Sequence, residues 1–334
     1  MSVTVLHGGL LTTVQDLGRF GAQKYGVIVS GAMDAISMRL ANLLVGNADG
    51  EAVLEITLFG TKLLFERDQL VAITGGDLQP TIDGQEAPMW RPVLIRRGSI
   101  LQFTSAVSGC RAYVAFAGGI DVPVVMGSKS TYLRAEIGGL YGRALQKGDR
   151  FVCGEAVSDI SLAFIKQLEH MDFPVAWSID TTQLHLFEQN EAIRVMHGSE
   201  YEHFSSESKH AFFSNPYKIT TYSDRMGYRL EGTPLHVSEK FNLLSEGVTY
   251  GTIQVPSSGQ PIILMADRQT TGGYPKIGQV ISADLPRLSQ MQPNADIHFS
   301  EVSLEQAEEA LLNKEKAIAD MALGIRLKAQ LSGI

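Results

Sequence analysis

Between Arg225 and Gly273 the sequence gathers cations, carboxylates, amides and hydroxyls more densely than a connecting loop requires. The richest stretch is Asp267-Arg-Gln-Thr-Thr-Gly-Gly-Tyr-Pro275, in which five polar side chains precede a glycine pair. The glycines remove side-chain bulk, so backbone N–H groups can approach a ligand closely. Just upstream, Asp224-Arg-Met-Gly-Tyr-Arg-Leu-Glu-Gly232 supplies Arg225 and Arg229, and Glu246 and Gln254 follow. At the other end of the chain, Gln15-Asp-Leu-Gly-Arg19 and Gly26-Val-Ile-Val-Ser-Gly-Ala-Met-Asp34 add Arg19 and Asp34.

These residue types suit one wall of a binding site for a polar or anionic ligand. Arg19, Arg225, Arg229 and Arg268 can neutralise phosphate or carboxylate. Asp34, Glu246 and Asp267 can move a proton or hold Mg²⁺. Gln254, Gln269, Thr270 and Thr271 are side-chain donors, with Gly272-Gly273 as a backbone cradle. We assign Asp267, Arg225 and Glu246 as the catalytic candidates and the remaining ten as substrate-binding candidates. Simpler roles compete with each. Asp34 is placed to cap a helix, Arg19 to pair with Asp16 or another surface acid, and Asp224 to Arg229 to form a salt-bridged turn.

The elements that must position these groups are mostly strands. Gly251 to Val255 alternates, Pro256 to Gln260 has the composition of a hairpin loop, and Pro261 to Ala266 suits a buried strand that delivers the chain to Asp267. From Glu51 to Arg150 short apolar runs recur between glycine steps, a cadence of barrels or sandwiches rather than of βαβ units. Ser2 to Leu6 and Tyr217 to Tyr222 read as further strands. Helices are expected after Asp34, with Gly46-Asn47 as the stop, over Ser158 to Met171, and after the capping box Ser303-Leu-Glu-Gln306. Val122 to Asp149 reads as long loops. Gly75-Gly76 and Gly118-Gly119 read as strand-end turns. The change of pattern divides the chain into an N-terminal domain over residues 1–175 and a C-terminal domain over 176–334. A weak echo between Glu51…Thr74-Gly-Gly and Glu246…Thr271-Gly-Gly suggests duplication.

Composition excludes several classes. The chain has 334 residues, 44% of them apolar, and a formal charge of −8, which argues against nucleic acid or an anionic membrane as partner. Two cysteines, Cys110 and Cys153, make no disulfide framework. No apolar run reaches the roughly 20 residues of a membrane span, and the N-terminus lacks a signal-peptide pattern, so a cytoplasmic protein is expected. His197, His203 and His210 lack ligand spacing and read as surface residues, so no metal site is expected. Ser128-Lys-Ser-Thr131 lacks the order of a phosphate loop. No complete ATP site is evident.

The four long motifs (Gln15 to Arg19, Gly26 to Asp34, Asp224 to Gly232 and Ser245 to Pro275) together resemble the family of the 5-oxoprolinase C component, also called KipA-like or allophanate-hydrolase-subunit-2 proteins. The family includes half of the carboxyltransferase region of urea carboxylase. The resemblance covers about Val3 to Phe299, and the length and opening residues resemble the KipA proteins of bacilli. It implies a mainly β fold of two cyclophilin-like β-barrel domains with a few peripheral helices. It also implies two partners, a KipI-like component and a LamB/YcsF-like component of the same 5-oxoprolinase. Together they would open 5-oxoproline to glutamate, with ATP and Mg²⁺ bound at the level of the complex. Two alternatives come with the resemblance: a regulator that counteracts KipI, the inhibitor of a sporulation histidine kinase, and the carboxyltransferase half of a biotin-dependent enzyme.

Overall fold

The computed structural model describes residues 2–170, 175–188, 191–238 and 243–332. The chain forms two compact units. Unit 1 comprises Met1–Arg19, Ser30–Phe187 and Lys316–Ile334, and unit 2 comprises Phe20–Val29 and Glu188–Glu315. The main change of unit falls between Phe187 and Glu188, whereas the sequence reading divides the chain at 175/176.

Unit 1 is built on two antiparallel sheets. The seven-stranded sheet has the order Ile120–Asp121, Arg150–Cys153, Val3–Gly8, Thr61–Phe65, Ile100–Phe103, Pro80–Ile82 and Gln85–Glu86. The five-stranded sheet has the order Leu11–Gln15, Val53–Thr57, Ser108–Phe116, Gln69–Asp77 and Pro92–Ile95. Alternate residues along each strand point the same way. Val3, Val5, Leu63, Phe65, Leu101 and Phe103 thus meet Leu54, Ile56, Ile73, Val114 and Phe116 in one core. The opposite face of the five-stranded sheet is also covered. Val53, Leu70, Ala72, Tyr113 and Ala115 pack under helix α1 (Ala35–Leu44) and helix α2 (Asp159–Glu169) through Met38, Ala41, Leu44, Phe164 and Leu168. Burial on both faces explains why Leu70 to Ile73 reads as a continuous apolar run.

The helix signals act locally. Asp34 Oδ1 accepts the Ser37 N–H at 2.9 Å, and Gly46 follows the helix with φ of 76°, its N–H donating to Leu43 O at 3.1 Å. Ser158 caps α2 by accepting the Ser161 N–H at 3.1 Å. This helix ends at Glu169, and the expected end at Met171 lies outside the described residues. Gly75 corrects the sequence reading. It lies inside the strand Gln69–Asp77, not at a strand end, with φ of 85°, and a Cβ there would meet Arg111 O at 2.4 Å. The pairing of that strand with Ser108–Phe116 shifts register between Ser108 and Ala112, so the glycine serves a bulge.

Unit 2 holds an eight-stranded sheet in the order Asp296–Ile297, Tyr217–Ile219, Gly227–Glu231, Ile262–Leu264, Thr252–Gln254, Lys276–Val280, Ile193–His197 and Phe299–Glu301. Its two edge strands are consecutive in the chain, separated by His298 alone, so the sheet curls into a nearly closed barrel. Closure of this kind protects edge strands from unwanted pairing. Helix α3 (Ser206–Ser214) and helix α4 (Leu285–Gln290) lie in this unit. Helix α5 (Leu304–Ser332) begins in unit 2, and its residues from Lys316 onward belong to unit 1, where Ala317 and Ile318 pack with Ile36 and Leu40. Its capping box is reciprocal: Ser303 N–H donates to Gln306 Oε1 at 2.9 Å and Gln306 N–H to Ser303 Oγ at 3.3 Å. The fold is mainly β with peripheral helices, as the motifs imply. Among the described residues no helix is long and apolar enough to cross a membrane.

Candidate functional site

The expected hairpin forms in unit 2. Thr252–Gln254 pairs antiparallel with Ile262–Leu264, placing Ile253 opposite Ile263 and Gln254 opposite Ile262. All three residues of the first strand are buried, so its alternation marks two buried faces rather than a core face and a wet one. The second strand leads directly into Asp267. From there the chain doubles back beside residues 246–250: Glu246 pairs with Gly272, Gly247 with Thr271, and the Val248 N–H donates to Thr270 O at 3.2 Å.

At the start of this ribbon, Arg225 and Asp267 form a two-armed ion pair. Nε lies 3.0 Å from Oδ2 and Nη2 2.9 Å from Oδ1, and both side chains are buried. The Asp267 N–H also donates to Arg225 O at 2.8 Å, so the backbones are tied as well. Arg268 differs. Its Nε is buried with no hydrogen-bond partner among the described residues, and its guanidinium lies 5.9 Å from the centroid of the Tyr250 ring. Burial pulls its pKa down, partly offset by Tyr250 and Asp267. It is a cation whose desolvation is poorly compensated within the chain.

Further along the ribbon the polar groups converge on Gly272. A Cβ on this glycine would lie 3.0 Å from Gln254 Oε1 and 3.7 Å from Gln269 Nε2. Gln254 Oε1 is buried without a hydrogen-bond partner among the described residues, whereas Gln269 is exposed. Thr270 is half-buried, Thr271 and Gly273 are exposed, and a Cβ on Gly273 would meet Ser245 Oγ at 3.2 Å. Glu246 is mostly exposed and bonds Lys276 Nζ at 3.1 Å. Arg229 sits exposed on the strand Gly227–Glu231.

Two residues the sequence reading missed complete this part. Lys276 is buried and also contacts Glu200, Nζ to Oε2 at 3.1 Å, while its own N–H donates to the Glu200 carboxylate at 2.9 Å. Burial would raise the Glu200 pKa, but the bonds from Lys276 and Ser199 outweigh it and hold the carboxyl below its ordinary value. Burial likewise opposes the charge on Lys276, and the two carboxylates reverse that, raising its pKa. The available signal was a lysine opening the otherwise uncharged strand Lys276-Ile-Gly-Gln-Val280.

Arg19 and Asp34 lie in unit 1. Arg19 is fully buried and donates to the carbonyls of Val125 (2.9 Å) and Ser130 (2.8 Å). It is not a surface residue. Asp16 instead accepts from Ser128 Oγ at 2.7 Å, Lys129 N at 2.6 Å and Gly18 N at 2.8 Å, and from the Ser130 hydroxyl. The hydroxyls of Ser128 and Ser130 are therefore occupied in holding the Gln15 to Arg19 turn. Asp34 is fully buried as a cap, and its N–H donates to Tyr113 Oη at 2.8 Å. Tyr113 in turn donates to Glu55 at 2.8 Å, and Glu55 also accepts the Met33 N–H at 2.8 Å. Burial, then the Glu55 charge, push the Tyr113 pKa up, so it stays a neutral hydroxyl.

Residues 25–301 match the family model for the carboxyltransferase domain, subdomains A and B. The chain belongs to this carboxyltransferase-domain family. It is 40% identical over 320 residues to the C component of 5-oxoprolinase from Escherichia coli, covering 95% of this chain and 97% of that one. It is 38% identical to the corresponding 5-oxoprolinase component of Haemophilus influenzae, over 88% and 89% of the two chains. The urea amidolyase structure from K. lactis superposes with a TM-score of 0.85 at 30% identity, covering 96% of this chain but only 20% of that much longer one. The family expected from the four motifs is thus the family found, and the chain is a homologue of one component of a multi-subunit enzyme.

Proposed function

We propose that this chain is the C component of an ATP-dependent 5-oxoprolinase. It works with a KipI-like partner and a LamB/YcsF-like partner, in the cytoplasm, to open 5-oxo-L-proline to L-glutamate. The observation that carries this reading is the match to the Escherichia coli component over nearly the full length of both chains. The Glu246 to Gly273 ribbon of unit 2 supports it, because it collects an undercompensated guanidinium, bare glycine backbone and a buried carboxamide oxygen with no internal donor among the described residues.

The chemistry fits those groups. A lactam resists hydrolysis because its carbon is poorly electrophilic and its nitrogen is a poor leaving group. Transfer of the ATP γ-phosphoryl group to the lactam oxygen releases ADP and activates the carbon. Water then adds there, the C–N bond breaks with a proton going to nitrogen, and a second water releases phosphate. In this chain Arg268 is suited to a carboxylate or phosphate oxygen. Glu246, exposed beside Lys276, is suited to move a proton. ATP and Mg²⁺ enter with the assembled complex.

Mixing this chain with both partners, 5-oxoproline, ATP and Mg²⁺ tests the proposal. Glutamate and ADP should form in equal amounts only in the full mixture. Equal activity without this chain would overturn it.

A second reading, a biotin-dependent carboxyltransferase module, is favoured by the K. lactis superposition. It requires that the activity be abolished by avidin, whereas the oxoprolinase reading expects no effect of avidin.

A further inference from the structure

The strongest unexplained feature of unit 2 is the unpartnered oxygen of Gln254. The side chain is 3% exposed and Oε1 has no hydrogen-bond donor among the described residues. Most buried acceptors are satisfied, and one that is not calls for an explanation. Its neighbours indicate one. Gln254 Oε1, an acceptor, and Gln269 Nε2, a donor, converge on Gly272, at 3.0 Å and 3.7 Å from the position a Cβ would take. Val248 Cγ1, at 3.1 Å from the same point, makes the third side apolar. A Cβ at position 272 would press on Gln254 Oε1 and Val248 Cγ1, so only glycine lets the backbone pass this close to the Gln254 amide. Gln269 is exposed and can move aside as a ligand enters.

We infer that Gln254 and Gln269 form an amide-reading pair for a ligand whose N–H and C=O lie on the same side. The ligand N–H donates to Gln254 Oε1, and Gln269 Nε2 donates to the ligand carbonyl oxygen. A cis amide has this arrangement. A lactam is locked in it by its ring, whereas an open-chain secondary amide is trans and turns its N–H away. The pair therefore selects a cyclic amide over a linear one. It also selects a lactam over the corresponding lactone, whose ring oxygen would face Gln254 Oε1 with two acceptors opposed. A site built to receive a hydrogen-bond donor rejects the analogue that lacks it, because its own polar group is left unpaired. This assignment rests on the oxoprolinase reading and adds to it the residue that tells nitrogen from oxygen.

The test compares 5-oxo-L-proline with its ring-oxygen analogue, 5-oxotetrahydrofuran-2-carboxylate, on the reconstituted complex. The first is measured as substrate and the second as competitor. The wild-type complex should favour the lactam by about tenfold or more. Gln254→Met, similar in volume but without the acceptor, should bring the preference close to one. Gln254→Glu, which keeps an acceptor, should retain it. Gln269→Met, at an exposed position where folding is not at stake, should weaken lactam and lactone alike, since both carry the carbonyl. An unchanged lactam preference in Gln254→Met, or unchanged affinity for both ligands in Gln269→Met, would overturn the pair.

If the wild-type complex opens no 5-oxoproline, the oxoprolinase reading fails by itself. The pair is then judged from the affinities of the full chain for the two ligands, read by ligand-observed NMR. Loss of lactam preference in Gln254→Met supports it there, and equal ratios in wild type and variant sink it.

Discussion

Arg225 and Asp267 meet through two hydrogen bonds of 2.9 and 3.0 Å, one to each carboxylate oxygen, and both side chains are buried. The pair joins two segments that lie 42 residues apart in the chain and sets where the ribbon begins. Such a pair offsets the cost of desolvating its charges only while both partners are present. Arg225→Met should therefore cost about 3–5 kcal/mol in urea unfolding, and Arg225→Met with Asp267→Leu should recover most of that. Activity of the double variant then separates scaffold from chemistry. A stable but inactive protein assigns the pair to the reaction. Wild-type stability of Arg225→Met would show that the pair contributes little to folding.

Arg268 predicts the opposite balance. Its Nε has no hydrogen-bond partner among the described residues, so removing the charge takes little from the fold and relieves a desolvation cost. Arg268→Gln should melt at or slightly above the wild-type temperature. Charge-assisted hydrogen bonds contribute about 1.5–3 kcal/mol, so the KM for an anionic substrate should rise roughly ten- to a hundredfold. A variant that melts lower with an unchanged KM would show the guanidinium to be structural.

Asp34 is a cap before it is anything else. Both of its carboxylate oxygens are engaged by Ser37, at 2.9 Å from the N–H and 2.6 Å from the hydroxyl. Asp34→Ala should destabilise unit 1 by about 1–2 kcal/mol, whereas Asp34→Ser, another good cap, should cost only a fraction of that. Denaturant midpoints of the two variants decide it. If Asp34→Ser is fully stable yet inactive, the carboxylate acts beyond the cap.

Asp284 gives unit 2 a defined acid sensitivity. Burial alone would raise its pKa, but hydrogen bonds from Arg194 and the charges of Arg287 and Arg194 prevail and hold it below the usual carboxylate value. The Arg194 contacts include a two-armed pair at 2.6 and 3.1 Å. A depressed folded pKa stabilises the protein above the unfolded carboxyl value of about 4, and this is lost as pH falls through the folded value. Urea midpoints should therefore drop below about pH 4, and Asp284→Asn should be less stable at pH 7 but show a shallower acid decline. Parallel curves for the two proteins would exclude Asp284 as a source of the dependence.

Much of the architecture was legible because strands and caps are local. The period-2 apolar runs became the strands of unit 1, since alternation places Leu63 and Phe65, or Leu54 and Ile56, on one face whatever the partner. Ser303 and Gln306 capped α5 as their spacing required. The site was legible as a cluster of residue types around Asp267, because residues adjacent in sequence remain adjacent on a ribbon. Lys276 and Glu200 escaped notice because 76 residues separate them and nothing in either neighbourhood announces the other. Gly75 was misplaced for a related reason: a bulge depends on how the partner strand is threaded.

The sequence by itself determined the family, the β cadence, the helix caps and the concentration of polar chemistry between Arg225 and Gly273, all properties carried by short stretches of chain. Tertiary structure decided what each of those polar groups faces. It placed Arg19 against backbone carbonyls and Asp16 among serine hydroxyls, closed Arg225 onto Asp267, and left Gln254 Oε1 over Gly272 with no donor among the described residues. Burial and pairing arise only when distant segments meet, and those two quantities separate a charge that holds the fold from one that awaits a ligand.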